Sequence, residues 1–247
     1  MIKKMSTINF KIKQFPLKFK PLTDFGRDDF LVADCNREAL NMVEMWPNWP
    51  FFAVVLYGPE GCGKSHLAHV FAEHVAACCE HPIPVQIIQA TAVNTRNVER
   101  LHRENPCLVV ENLTPKADNE ALFHLFNLYQ NEGGYILFTA EQSPTRMYFK
   151  LPDLRSRLST IPSVAINEPD DTMLTALIVK LFNDRQIIIS QEVLNYIVQN
   201  MQRSFSYAQK LVAETDAISL SCKRAISVPI VKEAIKILNT NVQQELF

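Results

Sequence analysis

"GPEGCGKS", residues 58 to 65, decides how the rest of the chain is read. It satisfies G-x-x-x-x-G-K-[ST] at every fixed position and lies between an apolar run, FFAVVLYG (51 to 58), and a helical pattern, KSHLAHVFAEHVAACC (64 to 79). A strand, a glycine-bearing turn and a helix in that order let backbone N–H groups converge on phosphate. Lys64 then reaches the terminal phosphates and the Ser65 hydroxyl is available to Mg2+. Gly58, Gly61 and Gly63 are three of the six glycines in the whole chain. The expected nucleotide contacts from this stretch are Gly58, Gly61, Cys62, Gly63, Lys64, Ser65 and His66. His66, His69 and His74 all follow on the helix, but only His66 and His69 share a face and no carboxylate completes a metal set, so a surface or packing role is expected for them.

Outward from the loop, strand-like runs alternate with helical ones. VQIIQA (85 to 90), CLVVEN (107 to 112), YILFTA (135 to 140) and SVAI (163 to 166) are separated by NTRNVERLHREN and NEALFHLFNLYQNE, with apolar residues at helical spacing. Short apolar strands alternating with helices predict a parallel sheet covered on both faces. Past Glu168-Pro169 the pattern changes to four helical stretches, beginning near Asp170, Ser190, Ser204 and Val228-Pro229, residues suited to capping or first-turn proline. The expected division is a tail (1 to 23), an α/β nucleotide-binding domain (24 to 167) and a helical domain (168 to 247).

With 47% hydrophobic residues, a chain of this length can bury a sizeable core, and its net charge of -1 implies no general affinity for polyanions. Lys3, Lys4, Lys11, Lys13, Lys18 and Lys20 all precede the first acidic residue, Asp24, which reads as a solvated basic tail. The cysteines show no C-x-x-C spacing and fall mostly in apolar segments, so neither a disulfide framework nor a zinc site is expected. No apolar run is long enough to span a bilayer. A cytoplasmic protein without membrane contact is the expectation.

"LVVENL" (108 to 113) raises a different question. A strand of this kind after a phosphate loop usually ends in two acidic residues, one holding the metal and one activating water, and here they are Glu111 and Asn112. Glu111 can still hold Mg2+ directly or through water. Asn112 cannot take a proton from water, so slow hydrolysis at best is expected unless another base, such as Glu141, serves. "LPDLRSRL" (151 to 158) places Arg155 and Arg157 after the fourth strand at the domain edge, either as ordinary surface arginines or as a finger reaching the nucleotide of a neighbouring molecule. Arg203 precedes a helix start, where a cation opposes the helix dipole and a nearby phosphate would explain the choice.

FLVADCNREAL (30 to 40), GPEGCGKSHL, LVVENL, LFTAEQSP, LPDLRSRL and QRSF occur in the order and approximate spacing of the AAA+ module of the bacterial replication initiator DnaA. Over about residues 14 to 238 the chain resembles the Hda family, the regulatory inactivators of DnaA, which lack its DNA-reading domain. The resemblance implies a P-loop AAA+ three-layer αβα fold with a five-stranded parallel sheet and a small all-helical lid. It also implies Walker A contacts at Lys64 and Ser65, Mg2+ at Ser65 and Glu111, sensor 1 at Thr139 to Glu141, an arginine finger at Arg157 and sensor 2 at Arg203. The implied ligand is ADP or ATP, with ADP the resident form. Glu111 departs from the usual aspartate, whereas Asn112 fits the family's tolerance at that position.

"QFPLKF" (14 to 19) resembles the peptide that docks on the bacterial sliding clamp, with Gln14 at the rim and Leu17 and Phe19 in apolar pockets. "QQELF" (Gln243 to Phe247) is similar, although a frayed amphipathic end also accounts for it. The implied partners are DnaA and the clamp, with DNA reached only through the clamp and a homo-oligomer possible. The implied function is regulation of replication initiation: stimulating hydrolysis of ATP on DnaA through Arg157 and so preventing re-initiation, with weak or no ATPase activity of its own. An autonomous AAA+ ATPase, such as a helicase-loader or clamp-loader subunit, is the alternative.

Overall fold

The computed structural model describes residues 26–79 and 83–244. Gln14, Leu17 and Phe19 lie outside these residues, as does the end of the Gln243 to Phe247 peptide. Five parallel strands, β1 (Ala53–Tyr57), β2 (Val85–Gln89), β3 (Cys107–Leu113), β4 (Tyr135–Ala140) and β5 (Ser163–Ala165), form one sheet in the order β2-β3-β4-β1-β5. Before β1 lies α1 (Arg37–Glu44), and between successive strands run α2 (Lys64–Cys78), α3 (Val98–Glu104), α4 (Asn119–Glu132) and α5 (Pro152–Leu158).

The central strands β1, β3 and β4 read as largely apolar runs because both faces are covered, whereas the edge strands β2 and β5 are only partly buried. On β1, Val55 enters one core with Leu101, Leu122, Leu125 and Leu154 of α3, α4 and α5. Its neighbours Val54 and Leu56 enter the opposite core with Leu40, Val43, Leu67 and Phe71 of α1 and α2. This is the period-two alternation of a strand sandwiched between helical layers. The order places β4 between β1, which delivers the glycine loop, and β3, which delivers Glu111 and Asn112.

Four further helices, α6 (Asp171–Asn183), α7 (Gln191–Asn200), α8 (Phe205–Cys222) and α9 (Val228–Gln244), enclose a separate core around Leu174, Ile178, Phe182, Ile197, Leu211 and Val231. Their starts are fixed as the sequence predicts. Asp170 accepts from the Met173 N–H at 2.6 Å, Ser190 from Val193 at 3.3 Å and Ser204 from Tyr207 at 3.1 Å. Each cap satisfies an N–H that the helix cannot pair internally. Ser204→Ala is expected to cost about 1 kcal/mol, read as a lowered midpoint in urea unfolding.

Candidate functional site

The loop from Gly58 to Ser65 leaves the end of β1 and runs into α2. Gly61 and Gly63 adopt φ of +76° and +97°, values that L side chains rarely accept. Gly58 is required for space: a Cβ there would stand 2.4 Å from the Ile166 carbonyl oxygen. Lys64 is only 8% exposed, and its Nζ donates to the carbonyl oxygens of Gly58 and Pro59, each at 2.8 Å. These bonds hold a buried ammonium against the loop. Burial pushes the Cys62 thiol above its ordinary pKa, partly offset by Lys64, so the thiol acts as a neutral packing group.

Beside this loop lies a cleft of about 360 Å³ lined by Gly61, Cys62, Gly63, Lys64, Ser65 and His66. Its other walls come from three places. A strap before α1 supplies Asp29, Phe30 and Leu31; the strand ends supply Asn112 and Glu141; α6 and α8 supply Met173, Leu177, Lys180 and Gln209. The strap is pinned to α2, with His66 Nε2 2.9 Å from the Gly26 carbonyl oxygen and the His66 ring edge-on to Phe30 at 5.2 Å. Lys180 of α6 ties the strap to the lid through Asp29 at 3.1 Å and also pairs with Asp184 at the end of its own helix at 3.2 Å. Burial alone would lower the Lys180 pKa, but the two carboxylates outweigh it and raise it. Further along α2, His74 Nε2 lies 2.8 Å from the Trp46 carbonyl oxygen, which suits packing.

The expected metal residues part company. Val110 pairs with Phe138 and Leu113 with Ala140, so β3 holds one extra residue there, and Asn112 takes φ of +55°. This bulge turns Asn112 into the cleft, while Glu111, 9% exposed, is not among the described residues that line it. The Glu111 carboxylate instead accepts from Gln89 Nε2 at 3.1 Å. The Asn112 N–H donates to Thr139 Oγ1 at 3.1 Å, and Asn112 Nδ2 donates to Gln89 Oε1 at 2.8 Å. No group of three or more His, Cys, Asp or Glu side chains that could hold a metal occurs among the described residues.

Neither predicted arginine lines the cleft. Arg203 pairs with Asp171 at 3.0 Å on the lid surface, with both side chains more than half exposed. Arg157 lies over α4: its Nη1 donates to Gln130 Oε1 and its guanidinium rests 5.4 Å from the Phe123 ring and 5.9 Å from Phe126. Arg155 stands 5.2 Å from the ring of Tyr148, itself 80% exposed. Sequence reasoning about the site missed the strap and Lys180. Lys180 had one signal, as the sole Lys or Arg within the otherwise apolar run of α6.

Comparison with known proteins places this geometry. Residues 22–164 match the bacterial DnaA ATPase domain and residues 170–235 match the Hda lid domain. An uncharacterized protein of Haemophilus influenzae is 26% identical over 92% of this chain and 99% of its own length. The chromosomal replication initiator protein DnaA of Flavobacterium psychrophilum is 22% identical over 95% of this chain and 53% of its own. The chain therefore spans about half the length of that initiator. Among solved structures, domain III of the Thermotoga maritima replication initiation protein DnaA superposes with a TM-score of 0.76 at 17% identity, covering 87% of this chain and 96% of that one. AMPPCP-bound DnaA from Aquifex aeolicus superposes at 0.64 with 18% identity, over 82% and 68%.

Proposed function

The chain belongs to the Hda family of DnaA-like AAA+ proteins, and from that premise we propose that it regulates chromosomal replication initiation by acting on nucleotide held by DnaA. Its own cleft holds ADP or ATP mainly as a structural ligand, bridging the glycine loop and the lid. Support comes from the convergence of Lys64 and Ser65 with the lid residues Met173 and Lys180, and from the AMPPCP-bound state of a DnaA of the same fold. Mg2+ would be held mainly by phosphate oxygens and the Ser65 hydroxyl, a sparse protein contribution that suits this ion, with Glu111 at one remove.

The observation that carries the reading is the position of Arg157. It stands outside its own cleft, half-buried on α5 against α4, preorganised by Gln130 and two aromatic rings. A guanidinium so displayed is placed to serve phosphate on another molecule. The clamp tethers the protein through Gln14, Leu17 and Phe19, DNA is met only through the clamp, and the work is done in the cytoplasm as a monomer or homo-oligomer.

The test is hydrolysis of ATP on purified DnaA in the presence of DNA-loaded clamp. Stimulation by the unaltered chain is expected to depend on loaded clamp, and a Leu17→Ala/Phe19→Ala variant is expected to lose that dependence and the stimulation together. Undiminished activity of the double variant would remove the peptide from the mechanism. A second reading, an autonomous ATPase, is favoured by one observation: Glu141 lines the cleft, where it can serve as base. ATP turnover by the chain alone, abolished by Glu141→Gln, would establish it.

A further inference from the structure

We propose that Gln89 is a positioning residue that selects a hydrogen-bond donor over a carboxylate at position 112 and thereby keeps the cleft from hydrolysing its own nucleotide. The inference rests on the reading of the cleft as a nucleotide site. A carboxamide has one accepting oxygen and one donating nitrogen, so its two ends cannot serve two acceptors at once. Gln89 ends β2 directly opposite Glu111 in the parallel register. Its Nε2 donates to the Glu111 carboxylate at 3.1 Å, which leaves Oε1 to accept from Asn112 Nδ2 at 2.8 Å.

Turning the amide over would set Oε1 against a largely buried carboxylate, so Glu111 fixes its orientation. The fixed Oε1, on an exposed strand end, then favours a donor at position 112 over a carboxylate. Asparagine supplies one and aspartate does not. The φ of +55° at position 112 is one that asparagine accepts best and aspartate also adopts, so the backbone favours the amide without requiring it, and the Gln89 bond adds to that preference. The bond from the Asn112 N–H to Thr139 Oγ1 keeps the residue from backing away from Gln89. A residue that lines the cleft is thus selected by a side chain outside it.

It follows that a single change to aspartate will not create an ATPase, since the new carboxylate meets the Gln89 oxygen. Removing the oxygen as well releases it. The introduced carboxylate can then take a proton from water as the water oxygen bonds to the γ-phosphorus and the bond from that phosphorus to the β–γ bridging oxygen breaks, yielding ADP and inorganic phosphate.

The experiment compares the full chain with Gln89→Ala, Asn112→Asp and the double variant in three measurements: ADP affinity, ATP turnover with Mg2+, and thermal unfolding. The double variant is expected to exceed each single variant in turnover by about 10²-fold at similar ADP affinity. Asn112→Asp is expected to lower the unfolding midpoint when Gln89 is present and much less when it is absent. Equal turnover by Asn112→Asp alone and by the double variant would overturn the proposal, as would background turnover by a double variant that binds ADP. Failure of the unaltered chain to bind ADP would defeat the nucleotide reading instead. The unfolding comparison would still decide the pairing, which additive effects of the two substitutions would refute.

Discussion

Arg157→Ala will leave the chain folded and its own nucleotide affinity unchanged, yet reduce stimulation of ATP hydrolysis on DnaA by about 10³-fold or more. The fold is spared because α5 is held by Leu154 and Leu158, each at most 1% exposed, whereas Arg157 lies across the surface of α4. Nucleotide affinity is spared because Arg157 does not line the cleft. The large effect on hydrolysis comes from the terminal phosphate of the partner, where charge develops in the transition state and a planar guanidinium is worth most. Arg157→Lys should recover little, because an ammonium neither forks onto phosphate nor stacks on Phe123 in the same way. Single-turnover hydrolysis of labelled ATP on DnaA, with DNA-loaded clamp, is the measurement. Arg155→Ala is the matched control on the same helix, its side chain exposed over Tyr148 rather than bonded to α4. If loss followed Arg155 and not Arg157, the finger would be the exposed arginine and the Gln130 contact merely structural.

What could be read from the sequence follows from where the physics is local. The central strands β1, β3 and β4 showed because burial on two faces leaves a largely apolar run, and α6, α7 and α8 showed because a cap residue stands at each start. The α1 and α5 helices escaped pattern reading, and length alone does not separate them from α3: α5 and α3 each have seven residues and one pair of buried positions, Leu154 with Leu158 and Val98 with Leu101. The loop was legible since its function requires glycine at fixed places. The fate of Glu111 was not, because a bulge is a property of pairing between strands: one extra residue between Val110 and Leu113 exchanges which side chain faces the cleft. Lys180 and Asp29, 151 positions apart in the chain, likewise meet only through tertiary packing.

Gly61→Ala is the second large effect, and it joins the loop to the lid. A Cβ at position 61 would lie 2.8 Å from Ser206 N, 3.0 Å from Ser206 Cα and 3.2 Å from the Phe205 carbonyl carbon. All three are backbone atoms in the first turn of α8, so no rotamer change relieves the overlap. Nor can the turn easily retreat, since Phe205 is 3% exposed and packs into the core shared with Phe30, Ile166 and Met173. The left-handed φ adds strain of about 1–2 kcal/mol to an overpacking cost of about 1–3 kcal/mol, so a loss of roughly 2–5 kcal/mol is expected. Denaturant unfolding measures that loss. Gly61→Asn tolerates the φ better but carries the same Cβ, and should therefore lose almost as much. Bound nucleotide should also leave faster from both variants, because displacing α8 displaces Gln209 from the cleft wall. Wild-type stability together with a wild-type ADP release rate in Gly61→Ala would mean that α8 does not bear on the loop, and the lid would then have to sense nucleotide through the Lys180 side of the cleft alone.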